Sequence, residues 1–237
     1  MIKLKKLLKE ENILIPRRSP EERRKNYIIS IQKKIQQYIK DGSKGTLDLS
    51  NTPITLLPDN LTVGGDLYLT GTKITSLPDN LKVDKDLFLY NTKITSLPDN
   101  LTVGGDLYLT GTKITSLPDN LKVDKDLFLY NTKITSLPDN LTVGGSLGLG
   151  ETLITSLPDN LTVGGGLDLS STPIKSLPNN LKVNLGLILD NTPITSLPNN
   201  LKVNGILDLS NTLISKKYSE EQLKQMLPGV KGNIYLS

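Results

Sequence analysis

Residues 67–78 read LYLTGTKITSLP, and DNLKVDKD carries the chain to residue 86, where the same wording begins again. Aligned on this stretch, the chain repeats every 20 residues as L-x-L-x-x-T-x-I-x-x-L-P-x-N-L-x-V-x-x-x, starting at Leu47, Leu67, Leu87, Leu107, Leu127, Leu147, Leu167, Leu187 and Leu207. Eight units are complete and the ninth breaks off after Ile214. Residues 61–100 and 101–140 are identical, so a 40-residue cassette has been duplicated inside the simple repeat. A fixed period of this length is the mark of a solenoid.

Within one unit the chemistry of each position is legible. Leu67 and Leu69 alternate at the strand period and bury one face of a short strand. Ile74, Leu77, Leu81 and Val83 carry the chain round the coil with inward side chains. Pro78 and Asp79-Asn80 supply a turn, because Pro fixes φ and Asn tolerates left-handed backbone. Gly64-Gly65 closes the coil before the next strand. A single coil buries too little to order itself, so stability has to come from stacking on its neighbours. Stacking puts equivalent residues in columns about 4.8 Å apart. The Thr column (Thr52 through Thr212) and the Asn column (Asn60 through Asn200) then become rows of small polar groups that pair side chains or cap turn backbone.

This wording resembles the leucine-rich repeat, in the short 20-residue bacterial form, with Thr where that family usually has Asn; the match runs from residue 47 to 214. The usual L-x-x-L opening is replaced by V-x-x-x-L, Val63 to Leu67, and Gly64-Gly65-Asp66 makes the segment also similar to parallel β-helix coils. The resemblance implies a mostly β repeat solenoid, a leucine-rich-repeat-like stack of about nine coils with parallel strands and little or no helix on the convex side. The wording LTVGGDLYL…LPDNL, with the flank IPRRSPEERRKNY, is similar to leucine-rich proteins of tailed bacteriophages, which bring no assigned activity.

An open stack needs its ends covered. Ser19-Pro20-Glu21-Glu22 is a capping box that starts a helix running to about Lys40 and stopping at Gly42. Its apolar stripe is Ile28, Ile31, Ile35, Tyr38 and Ile39. A shorter helix over Ile2–Glu11 is expected before it. Ser219-Glu220-Glu221-Gln222 starts a second helix, with Leu223, Met226 and Leu227 expected to face inward. Gly232-Asn233-Ile234-Tyr235-Leu236 restates the strand pattern and predicts a tenth strand. The organisation expected is a basic helical cap over 1–45, a solenoid over 46–215 and a C-terminal cap over 216–237.

Composition narrows the function. The 237 residues contain no His, Cys or Trp, which excludes Cys–His and Ser–His–Asp nucleophiles and His- or Cys-ligated metal sites. No apolar run approaches a membrane span or signal-peptide core, and Leu4 to Leu8 is interrupted by lysines. The expectation is a cytoplasmic protein of a host cell or virion with no classical signal peptide, no membrane partner and no cofactor. Residues 1–45 hold 13 basic against 5 acidic side chains, a balance of +8, and the remainder holds 15 against 19, a balance of −4.

The outward position between the strand leucines reads Asp48, Tyr68, Phe88, Tyr108, Phe128, Gly148, Asp168, Ile188, Asp208. Tyr90 and Tyr130 stand two positions on, so six of the ten aromatics fall on one face of four adjacent coils. Asp66, Asp86, Asp106 and Asp126 flank them on one side, and Lys73, Lys93, Lys113 and Lys133 on the other. An aromatic centre with a charged rim is the profile of a protein-binding surface. The competing reading is that aromatics suit outward strand positions and stack on their neighbours.

Catalysis is disfavoured, because a hydrolase needs an acid and a base in unlike environments and this column repeats one Asp four times. Asp84, Asp86, Asp124 and Asp126 could recruit a hard cation, but Lys85 and Lys125 between them point to solvated charge. Arg17, Arg18, Arg23, Arg24 and Lys25 form a basic head that could dock on an assembly or contact phosphates, although no nucleic-acid motif accompanies it. The expectation is a non-enzymatic protein-interaction module of phage or bacterial origin. Alternatives are a structural component of a virion docked through the basic head, and a nucleic-acid or glycan binder.

Overall fold

The computed structural model describes residues 19–237, and the expected helix over Ile2–Glu11 lies outside them. The chain is a leucine-rich-repeat-like parallel β solenoid in which each of the eight complete coils contributes one two-residue strand to each of two sheets. The first sheet has ten strands: β1 (Leu47–Asp48), β3 (Leu67–Tyr68), β5 (Leu87–Phe88), β7 (Leu107–Tyr108), β9 (Leu127–Phe128), β11 (Leu147–Gly148), β13 (Leu167–Asp168), β15 (Leu187–Ile188), β17 (Leu207–Asp208) and β18 (Ile234–Tyr235). The second has eight: β2 (Thr62–Val63), β4 (Lys82–Val83), β6 (Thr102–Val103), β8 (Lys122–Val123), β10 (Thr142–Val143), β12 (Thr162–Val163), β14 (Lys182–Val183) and β16 (Lys202–Val203).

The register follows the sequence period. Leu67 pairs with Leu87 and Tyr68 with Phe88, and the same offset recurs from coil to coil. The inward Leu, Ile and Val columns fill one continuous core between the sheets. The V-x-x-x-L departure explains the second sheet. Val63 is fully buried while Thr62 points outward, so this side of each coil is a half-buried strand.

The Thr column caps its own turn instead of pairing across coils. Thr152 Oγ1, for example, donates to the Leu149 carbonyl three residues earlier at 2.6 Å, and Thr92, Thr132, Thr172, Thr192 and Thr212 do the same in their coils. Thr72 and Thr112 are the exceptions, their buried hydroxyls having no partner. The Asn column bridges coils at its two ends: Asn80 Nδ2 donates to Asn60 Oδ1 at 3.2 Å, and Asn200 to Asn180 at 3.1 Å.

Each coil also leaves the first sheet through a left-handed residue. The column Asn51, Gly71, Asn91, Gly111, Asn131, Glu151, Ser171, Asn191, Asn211 has φ between 53° and 71° throughout. Asn and Gly accept this backbone readily, whereas Glu151 and Ser171 hold it at a cost.

Helix α1 (Pro20–Lys40) covers the first coil, with the capping box at Ser19 and Glu22 formed in both directions. Ile31 and Ile35 enter the core, Tyr38 Oη lies 2.8 Å from both the Ser43 and the Gly45 carbonyl oxygens, which share its one proton, and Lys34 Nζ donates to the carbonyl of Asp48 on the edge strand β1. Ile39 departs from the expected stripe. It is exposed, while Tyr38 beside it packs against the core. At the other end α2 (Glu220–Met226) begins with a capping box at Ser219 and Gln222. Leu223 and Leu227 are buried, but Met226 is 47% exposed, since a helix of two turns can aim only one row at the stack. The tenth strand forms as expected: Ile234 pairs with Leu207 and Tyr235 with Asp208.

Candidate functional site

The outward aromatics of β3, β5, β7 and β9 form a ladder. Tyr68 and Phe88 stack at 4.3 Å between ring centroids with planes 3° apart, Phe88 and Tyr108 at 4.6 Å and 7°, and Tyr108 and Phe128 at 5.0 Å and 20°. This follows directly from an in-register parallel sheet, where side chains of one column stand about one strand spacing apart. Tyr90 leans on Tyr108 at 5.3 Å and 39°, and Tyr130 stacks on Phe128 at 6.0 Å and 19°. All six rings are half-buried. Inside the ladder the ring faces are spent on each other, while Tyr68 at its end is stacked on one side only.

The aspartate flank proves to be a backbone device. Asp86 Oδ1 accepts the Asp106 amide at 2.8 Å, Asp106 Oδ1 the Asp126 amide at 2.9 Å, and Asp126 Oδ1 the Ser146 amide at 2.6 Å; Asp66 and the Asp86 amide make a longer contact of 3.3 Å. Ser146 continues the row by accepting the Gly166 amide at 3.1 Å. Each carboxylate thus ties its coil to the next, and Asp66 and Asp106 also accept hydroxyls from Thr46 and Tyr108. Among the described residues no cluster of acidic side chains is arranged to hold a metal ion.

The lysine flank is different. Lys73, Lys93, Lys113 and Lys133 are exposed. Among the described residues the one ion pair within 4.0 Å is Lys224–Glu220, so these four ammonium groups stand in a column without carboxylate partners.

The ladder ends at Tyr130. Its ring lies across Gly148 and Gly150, where a Cβ on Gly148 would come within 2.4 Å of Tyr130 Cε2. Its hydroxyl donates to Asp168 Oδ2 at 3.1 Å. Burial and then the Asp168 carboxylate push the Tyr130 phenol well above its ordinary value, and burial with Asp106 does the same to Tyr108, whose hydroxyl donates to Asp106 Oδ2 at 3.0 Å. Tyr68 and Tyr90 are also raised, chiefly by burial. Every ring of the ladder that carries a hydroxyl is therefore a donor at neutral pH.

Beyond Gly148 the same face changes character. Asp168, Asp190 and Asp208 occupy it, and burial followed by the charges of Asp208 and Asp168 raises the Asp190 carboxyl. On the flank, Leu153, Pro173, Pro193 and Leu213 replace the lysines, with Leu153 and Leu213 exposed. Sequence reasoning read Asp168 and Asp208 as outward positions but did not join Asp190 to them; its place in the Tyr90 and Tyr130 column was the available signal.

Of the basic head, Arg23, Arg24 and Lys25 are exposed on the first turns of α1, while Arg17 and Arg18 lie outside the described residues. No helix among the described residues is long and apolar enough to cross a membrane.

No family model matches the sequence, and no curated protein does. Solved structures with related architecture are bacterial leucine-rich repeat proteins. A leucine-rich repeat protein of Leptospira interrogans is 23% identical over 79% of this chain, with a TM-score of 0.48. YopM from Yersinia enterocolitica is 20% identical over 89%, with a TM-score of 0.46, and YopM from Yersinia pestis, a leucine-rich effector protein, is 18% identical over 79%, with a TM-score of 0.39. The chain spans 61%, 55% and 65% of those three chains, less than two thirds of each.

Proposed function

We propose that the chain is a non-enzymatic protein-interaction module that binds its partner through the aromatic and lysine face of β3, β5, β7 and β9. The observation that carries this reading is the ladder of Tyr68, Phe88, Tyr108 and Phe128, confined to one face and bordered by four unpaired lysines. Ring edges, tyrosine hydroxyls and cationic ends together make an amphipathic strip of the type that anchors protein partners.

The stacking of the rings weighs against a glycan or single-stranded nucleic acid on this face. Both ligands are held by exposed ring faces, and here the faces inside the ladder are covered by neighbouring rings, Tyr68 alone having one side without a ring. The uniform role of the aspartates, each holding an amide of the next coil, weighs against hydrolysis. A phage or bacterial setting belongs to the same proposal and rests on the sequence wording alone.

The test replaces Tyr68, Phe88, Tyr108 and Phe128 together by Thr, which keeps β propensity, and compares partner capture from the native setting with wild type. Loss of capture with a cooperative thermal transition retained supports the reading. Undiminished capture rejects it.

A further inference from the structure

Resting on the interaction reading above, we infer that the occupant of the ladder is a basic segment of a partner protein, with arginine side chains over the rings and on the carboxylates of Asp66, Asp86, Asp106 and Asp126. The charge of the first-sheet face, the spare capacity of its carboxylates and the open end of the ladder lead to this occupant.

The register fixes which side chains share the outward side of the first sheet. Asp66, Asp86, Asp106 and Asp126 stand two residues before the rings, Asp48, Asp168 and Asp208 extend the ring column, and Asp190 lies in the column of Tyr90 and Tyr130. These eight carboxylates meet no Lys or Arg at any outward position of this sheet from Thr46 to Ser210. Lys73, Lys93, Lys113 and Lys133 follow the left-handed residues Gly71, Asn91, Gly111 and Asn131, where each coil turns out of the sheet. Lys34 reaches the sheet from α1, and its bond goes to the carbonyl of Asp48. Among the described residues none of these cations forms an ion pair within 4.0 Å, so the strip between the corner and the aspartate column is negative. The rings feel that charge. Burial and then Asp66, Asp86 and Asp48 raise the Tyr68 phenol, and burial and then Asp106 raise that of Tyr90. A cationic segment is drawn to such a strip and a nucleic acid is repelled.

The aspartates have room for a second partner. Oδ1 of all four accepts a backbone amide of the next coil, and Oδ2 of Asp66 and of Asp106 accepts the Thr46 and Tyr108 hydroxyls. Oδ2 of Asp86 and of Asp126 makes no hydrogen bond among the described residues. A carboxylate offers about four lone-pair sites, so a guanidinium adds to it without breaking the amide contact. The 3.0 Å between Asp106 Oδ2 and Tyr108 Oη puts carboxylate and ring within reach of one side chain. At the end of the ladder Tyr68 is stacked on one side only, and its register partner on the other side is Asp48. An uncovered ring face beside a carboxylate favours a planar cation, which guanidinium is and ammonium is not.

The experiment uses the whole protein and, as probe, a labelled peptide of alternating arginine and serine. Counterparts carry glutamine or glutamate in place of arginine. The arginine peptide should bind about tenfold more tightly than the glutamine peptide at low salt, and weaken as salt is raised. Replacing Asp66, Asp86, Asp106 and Asp126 together by Asn, which keeps the oxygen that accepts the amide, should erase that preference. Asp86→Asn with Asp126→Asn is the milder variant, and should cost about threefold with the thermal transition retained. Equal binding of the arginine and glutamine peptides, unchanged affinity in a folded Asn variant, or tighter binding of the glutamate peptide would overturn the inference. Self-association of the protein that Arg23→Gln, Arg24→Gln and Lys25→Gln abolish would give the face to the basic head of a second copy, and overturn it equally. The underlying reading is separable: if the arginine peptide fails while partner capture still depends on the four rings, the basic chemistry falls and the interaction face stands.

Discussion

The hydroxyl of Tyr130 donates to Asp168 over 3.1 Å, and its ring crosses the coil of Gly148 to get there. This contact marks the seam between the aromatic half of the face and the acidic half. Tyr90, its counterpart in the identical cassette, meets Tyr108 instead, because the following coil reads Leu-Tyr-Leu and not Leu-Gly-Leu. A Gly148→Ala variant should therefore displace the Tyr130 ring and cost about 1–2 kcal/mol. The phenol would also ionise at lower pH once removed from Asp168, which a spectrophotometric titration of tyrosinate reads directly. An unaltered titration would mean that the ring keeps its place.

The two orphaned hydroxyls allow a paired comparison. Thr72→Val and Thr112→Val remove buried groups that have no partner and should stabilise the fold by about 1 kcal/mol each. Thr152→Val removes the bond to the Leu149 carbonyl and should destabilise by about 1 kcal/mol. Chemical denaturation of the three variants checks the opposite signs.

Glu151 holds φ 60° in a column otherwise filled mostly by Asn and Gly. Replacing it by Asn should raise stability by about 0.5–1 kcal/mol, since Asn occupies this region with less strain. A lower midpoint in the variant would show that Glu151 makes up its backbone cost in another way.

Asp190 gives a pH prediction. Its carboxyl is raised by burial and by Asp208 and Asp168, so its charged form is disfavoured in the folded chain. A raised folded value contributes stability below the unfolded value of about 3.9 and loses it as pH rises through the folded one. Asp190→Asn should accordingly be more stable than wild type at pH 7, with the difference closing as pH falls to about 4. Thermal melts across that window decide it; a constant difference would point to packing.

The 20-residue period made most of this architecture legible. Leu67, Leu69, Ile74, Leu81 and Val83 announce their burial by alternation alone, and Ser19 and Ser219 announce the helix starts through their capping boxes. The aromatic column could be placed because register makes column-mates neighbours. Sequence left both fates open for those rings, and the structure shows that they stack on each other. What did not follow was anything fixed by side-chain reach. Asp66 through Asp126 read as a charged rim, yet Asp is short enough to turn back on the next coil's amide, while Lys at the other flank is too long and finds nothing there to pair with. Met226 and Ile39 satisfied a helical stripe but are exposed, while Leu227 and Tyr38 beside them pack against the core. The left-handed corner at Asn51 and its column-mates was hidden by its variety, as Asn, Gly, Glu and Ser share one backbone shape.

The central claim is tested most directly by backbone hydrogen exchange of the protein alone and with its captured partner. Slowed exchange confined to residues 66–73, 86–93, 106–113 and 126–133 is the predicted footprint. Protection over β2 to β16 of the second sheet or over α1, with the ladder unchanged, would contradict it.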